Sequence, residues 1–155
     1  MPGFWIYAIA VAASLVPPLP QAGGERRMGF VCVFWPHDAT GAPRAKKRFD
    51  VSWVFPDGKM TGHAASTIEV LEAPKQIGRG ARVVDFRRDG EGINLLLSGD
   101  AGRFVLSLAP RPGHGGEYDA GAGAPEKAKV EYFGGCHTLD ADEKLIASLR
   151  SGSRD

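Results

Sequence analysis

Between Gly29 and Phe133 the chain is cut into apolar runs of only five to seven residues, fenced by Gly, Pro or Asp. Runs this short bury a face as strands far more readily than as helices, which need ten or more residues to do so. Residues 29–35 (GFVCVFW) are apolar on both faces, as in a central strand. Residues 49–55 (FDVSWVF) alternate, with Phe49, Val51, Trp53 and Phe55 on one face and Asp50 and Ser52 on the other. Pro56-Asp57-Gly58 turns the chain, and 59–63 is expected to return as a short partner strand. Further strands are expected at 67–71, ended by Pro74, and at 81–87.

The sharpest local signal lies at 93–108. Ile93, Leu95 and Leu97 alternate in one strand and Phe104, Leu106 and Leu108 in the next, around Ser98-Gly99-Asp100-Ala101-Gly102. This is a hairpin, and its two turn glycines are read as positions of positive φ. Residues 128–133 supply a last strand. A helix follows over 139–150, with Asp140 and Glu143 spaced as a capping pair and Leu139, Leu145, Ile146 and Leu149 as its apolar stripe. The fold class is therefore mainly β: a small antiparallel sandwich or barrel of six to eight strands with one C-terminal helix. A small α+β domain with one strongly curved sheet is the alternative. The 21 Gly and 11 Pro concentrate in two stretches, 36–48 and 109–127, expected to be long loops.

Residues 3–13 (GFWIYAIAVAA) form an unbroken apolar run that ends before Pro17 and Pro18. A membrane-spanning helix needs about 20 such residues, so no transmembrane segment is read here. Residues 1–22 instead read as a signal peptide, although the segment ahead of the run lacks Lys and Arg. Residues 23–155 are then one β-rich domain with a secreted or periplasmic location. In an oxidising compartment Cys32 and Cys136, the only two cysteines, are expected to pair.

The residues that carry chemistry show no catalytic pattern. His37, His63, His114 and His137 have neither HxH nor HExxH spacing, so no metal site is assigned. His137 follows Cys136 directly, and neighbours on an extended chain point to opposite sides, so this His cannot activate that Cys. Asp50, Glu69 and Asp85 lie on strand-like runs and are the carboxylates a small cell-wall hydrolase would draw on. No cofactor motif is present in the chain, and no catalytic residue is assigned.

Charge is the strongest departure. Arg44, Lys46, Lys47 and Arg48 fill four of five positions, and Arg79, Arg82, Arg87 and Arg88 form a second group. Residues 23–88 carry twelve basic and seven acidic side chains, whereas residues 89–155 carry seven and eleven. The formal net charge is only +1, and no nucleic-acid-binding module is recognisable, so nucleic acid is not the expected partner. These features favour a non-enzymatic binding module, an inhibitor among the options. It would recognise an acidic protein or an anionic envelope component through Arg44, Lys46, Lys47 and Arg48. A structural subunit of a surface assembly is the remaining alternative.

Overall fold

The structure, a computed structural model, describes residues 26–36, 48–127 and 130–152. Eight antiparallel strands form one sheet: β1 (Arg27–Pro36), β2 (Phe49–Val54), β3 (Glu69–Glu72), β4 (Arg82–Asp89), β5 (Gly92–Ser98), β6 (Arg103–Pro110), β7 (Glu117–Gly123) and β8 (Tyr132–Ala141). Their spatial order is β3-β2-β1-β8-β7-β6-β5-β4. Every ladder but one therefore joins neighbours in sequence, and the exception joins the first strand to the last. The sheet curls until β3 and β4 face each other without a ladder, giving a nearly closed up-and-down barrel. The barrel, not the sandwich, is the observed form of the expected class.

The disulfide lies in the ladder that joins the first strand to the last, away from the β3–β4 gap. Cys32 and Cys136 are opposed in the β1–β8 register and are bonded, with Cα atoms 4.0 Å apart. Both are buried and face inward with Phe30 and Phe34. The inward positions of the 93–108 hairpin meet as its alternation predicts: Ile93 opposite Leu108, Leu95 opposite Leu106, and Leu97 opposite Phe104. Val51, Trp53 and Phe55 complete that wall, each at most 1% exposed. The Trp53 indole N–H is buried with no hydrogen-bond partner among the described residues.

The barrel is plugged at both ends. Taking the end at which β1 finishes as the upper one, residues 73–81 fold over it and bury Ile77. The Ile77 carbonyl accepts the Ala101 and Gly102 amides at 2.9 and 3.1 Å. At the lower end Phe55 packs across the β3–β4 gap onto Phe86, with ring centroids 5.5 Å apart, and stacks on His63 at 5.6 Å. His63 Nε2 lies 2.9 Å from the Lys59 carbonyl and 3.1 Å from Asp57 Oδ1. Both are acceptors, so this nitrogen carries the proton. Helix α1 (Glu143–Gly152) lies outside the barrel, with Ile146 and Leu149 on Val54, Leu71, Leu139 and Ala141.

Several expectations are corrected. Residues 59–63 form bends, not a strand; His63 is held by local bonds instead of a ladder. Gly99 and Gly102 do not have positive φ. They are glycines because a Cβ at either would strike the backbone of Gln76 or Ile77 in the overlying plug. The helix begins after Asp142, whose Oδ1 accepts the Leu145 amide at 2.8 Å. Asp140 and Leu139 belong to β8, where Asp140 pairs with Arg26 at 3.0 Å. Leu145 points outward, 38% exposed. The stretch 109–127 is not one long loop: Ala109 and Pro110 end β6, and Glu117–Gly123 is β7, paired on both sides. Its Gly and Ala content gives low strand propensity, but Tyr118, Ala120 and Ala122 face a core already crowded by large rings, and small side chains fit there.

Candidate functional site

The interior offers no room for a site where the inward side chains pack it, since the large residues Phe30, Phe34, Trp53 and Phe55 are fully buried. Recognition or chemistry must use the ends and the outer wall. Antiparallel connectivity decides what each end carries. The lower end holds residues 55–68, the tight Gly90-Glu91 turn, loop 111–116 and the start of α1; the upper end holds 73–81, the 99–102 turn, 124–127 and 130–131.

At the lower end, loop 111–116 is closed by Arg111 N–H donating to the Glu117 carbonyl at 2.9 Å, with Gly113 and Gly116 at φ 77° and 80°. It borders a cleft of about 340 Å³, and a second of about 250 Å³ shares Arg111, Glu117 and Tyr118 with it. Arg111 is held by Asp119 at 2.8 Å and Glu117 at 3.5 Å. His114 Nδ1 stands 3.7 Å from Glu117 Oε2, and His137 is the register partner of Glu117. Two histidines that look scattered in sequence are thus gathered by β7. No spacing signal could have found this, because β7 itself has no strand signature. Among the described residues no group of three or more His, Cys, Asp or Glu is arranged to hold a metal ion.

Each candidate hydrolase carboxylate has a cationic neighbour. Asp50 lies 3.9 Å from Arg48, and Asp85 lies 2.9 Å from Arg87. Glu69 receives Arg27 at 3.0 Å and also Arg150, which ties the end of α1 to β3. Partial burial works to raise the Glu69 carboxyl, and hydrogen bonds from Arg150 and Arg27 more than reverse it, so it sits below the ordinary range. Glu72, which sequence reasoning did not single out, goes the other way. Burial raises it and the Asp50 charge adds to that, against a 3.2 Å hydrogen bond from Ser52.

The upper end collects cations. Arg44, Lys46 and Lys47 lie outside the described residues. Arg48 is exposed at the head of β2. The second basic group divides: Arg79 and Arg82 are at the upper end, while Arg87 and Arg88 lie toward the other end of β4, on the order of 20 Å away along an extended strand. Lys75, Arg79 and Arg82 are all exposed, and none has an ion-pair partner among the described residues. By contrast Arg103 pairs with Glu126 at 3.2 Å and Lys127 with Glu131 at 2.9 Å. The Asp100 carboxylate accepts the Arg79 amide at 2.7 Å, fixing the 73–81 plug to the 99–102 turn.

Apolar side chains share this end. Val130 is 46% and Phe133 45% exposed; Phe133 is the register partner of the half-buried Trp35. A shallow groove of about 220 Å³ runs beside them between Val105, Gly121, Pro125 and Val130. No described helix is long and apolar enough to cross a membrane. No family model, curated protein or solved structure matches the chain.

Proposed function

We propose that this protein is an exported, non-enzymatic recognition module whose partner is anionic, with the upper end of the barrel as its contact surface. The observation that carries the reading is the convergence of Arg48, Lys75, Arg79 and Arg82 from three separate segments onto one end, with the last three lacking ion-pair partners among the described residues. Unpaired cations on a rigid rim keep their long-range field, which steers and holds a polyanion. Arg44, Lys46 and Lys47 enter β2 through Arg48 and add to the same charge in this proposal. The Cys32–Cys136 disulfide supports export, since such bonds persist in oxidising compartments. An acidic protein and an anionic envelope component both satisfy this chemistry.

The test is association of the purified protein with an envelope fraction as salt is raised. Binding should fall steeply between about 50 and 300 mM, as the Debye length shrinks. Replacing Arg44, Lys46, Lys47 and Arg48 with Ser should weaken it and flatten the salt slope, with little change in melting temperature. Binding that ignores both salt and these substitutions removes the reading.

A further inference from the structure

The upper rim carries two chemistries side by side, and their combination narrows the partner. Over β2 to β5 it presents Arg48, Lys75, Arg79 and Arg82. Over β7, β8 and β1 it presents Pro125, Val130, Phe133 and the half-buried Trp35. A polyacidic chain without apolar side chains has use for the first group only. A bilayer surface uses both: headgroup phosphates meet the cations, and Trp and Phe rings with aliphatic tips settle at the headgroup–acyl boundary. Acidic groups stand at both ends, Asp50, Glu72, Asp100 and Glu126 at the upper and Asp57, Glu91, Asp142 and Glu143 at the lower, where exposed Arg26, Lys59, Arg88 and Lys144 accompany them. The upper end is set apart by the exposed Val130 and Phe133 and the half-buried Trp35 that share it with the cations.

We infer that the upper rim docks onto an anionic phospholipid surface, laying Val130 and Phe133 into the interface while Lys75, Arg79 and Arg82 engage headgroup phosphates. The inference rests on the reading of an anionic partner and names its source. The lipid contact needs no opening of the barrel, because the apolar tips already stand on its outer wall.

Co-sedimentation of the full chain with vesicles of phosphatidylcholine, alone or with about 30% phosphatidylglycerol, tests this directly. The 3–13 run carries no charged side chain, so its contribution is common to both compositions and the difference between them reads the rim. Partitioning should be at least about tenfold stronger on the anionic vesicles. Each cation near such a surface strengthens partitioning about fivefold, so the Lys75→Ser/Arg79→Ser/Arg82→Ser variant should lose about a hundredfold. These side chains are exposed, and the structural bonds of Arg79 come from its backbone, so the variant should melt as the parent does. Val130→Ser should weaken binding on the same vesicles without altering its salt slope. Equal partitioning on both compositions overturns the inference, as does a triple variant that binds like the parent. Salt-sensitive binding to envelope extract that persists after lipid removal and is competed by polyglutamate, with none on vesicles, also overturns it. That last result assigns the rim to an acidic protein and leaves the anionic-partner reading intact.

Discussion

Glu69 and Glu72 sit three residues apart on one short strand, yet they bear on stability in opposite senses. Glu69 has its folded carboxyl depressed, so its contribution is complete above the unfolded pKa and is lost as pH falls through the folded value. Glu72 has its carboxyl raised, so the protonated form is favoured and stability is lost as pH rises through the folded value. Thermal melts should therefore show Glu69→Gln destabilising at pH 7, by about 1 kcal/mol or less for so exposed a pair, with no effect in strong acid. Glu72→Gln should stabilise at pH 7 and likewise do nothing in acid. A second test concerns Trp53. Its indole N–H, unpaired among the described residues, means that Trp53→Phe removes a desolvation cost along with some packing. It should stay within about 1.5 kcal/mol of the parent in urea unfolding, against about 3–5 kcal/mol expected of Trp53→Ala. Neither the opposed carboxyls nor the orphan indole could be read from sequence. Both depend on which strand lies alongside, and Glu72 resembles any solvent-facing acid until Ser52 and Asp50 are placed beside it.

Elements whose own pattern matched their surroundings were legible, above all β5 and β6. Their six alternating residues form the expected inward rows in register. The failures were elements defined by a neighbour. Strand β7 holds because β6 and β8 flank it, and Gly99 and Gly102 answer to a plug that arrives from residues 73–81. Gly99→Ala should consequently destabilise by about 1–3 kcal/mol through overpacking against the Ile77 backbone, whereas a glycine kept only for its φ and facing open space would lose about 1 kcal/mol at Ala and little more with added bulk. Raising the substituent from Ala to Val in urea titrations should deepen the loss, as a steric cause requires. The helix start illustrates the same dependence. Asp140 and Asp142 are both competent caps, and the ten-residue β8 ladder claims the first. Asp142→Ala should cost about 1 kcal/mol, and Asp140→Ala should leave the helical circular dichroism unchanged.

For the molecule as a whole, the mainly β class and the cysteine pairing were readable because alternation and an even cysteine count are global constraints. The pairing of Cys32 with Cys136 already places β1 beside the segment around Cys136, but the near-closure of β3 on β4 was not readable, since no local pattern announces it. Reduction should lower the unfolding free energy by about 2–5 kcal/mol in the parent and scarcely at all in Cys32→Ala/Cys136→Ala. The fragment 23–155 should keep the parent's melting profile, because the described core is assembled from Phe30 onward. Loss of cooperative melting in that fragment would remove the signal-peptide reading. The placement of the gap has a further outcome. The sheet is interrupted between β3 and β4, in the middle of the chain, while Arg27 and Ala141 are register partners. Cut within residues 73–81 and rejoined from Gly152 to Arg26 by a short linker, the polypeptide would run through the barrel as a single meander from β4 to β3. Such a circular permutant should fold, yet its disulfide would span about 30 residues in place of a separation of 104. On the loop-entropy account the bridge would then stabilise it by about 1 kcal/mol less, so the same covalent bond would matter less once the gene began where the sheet does.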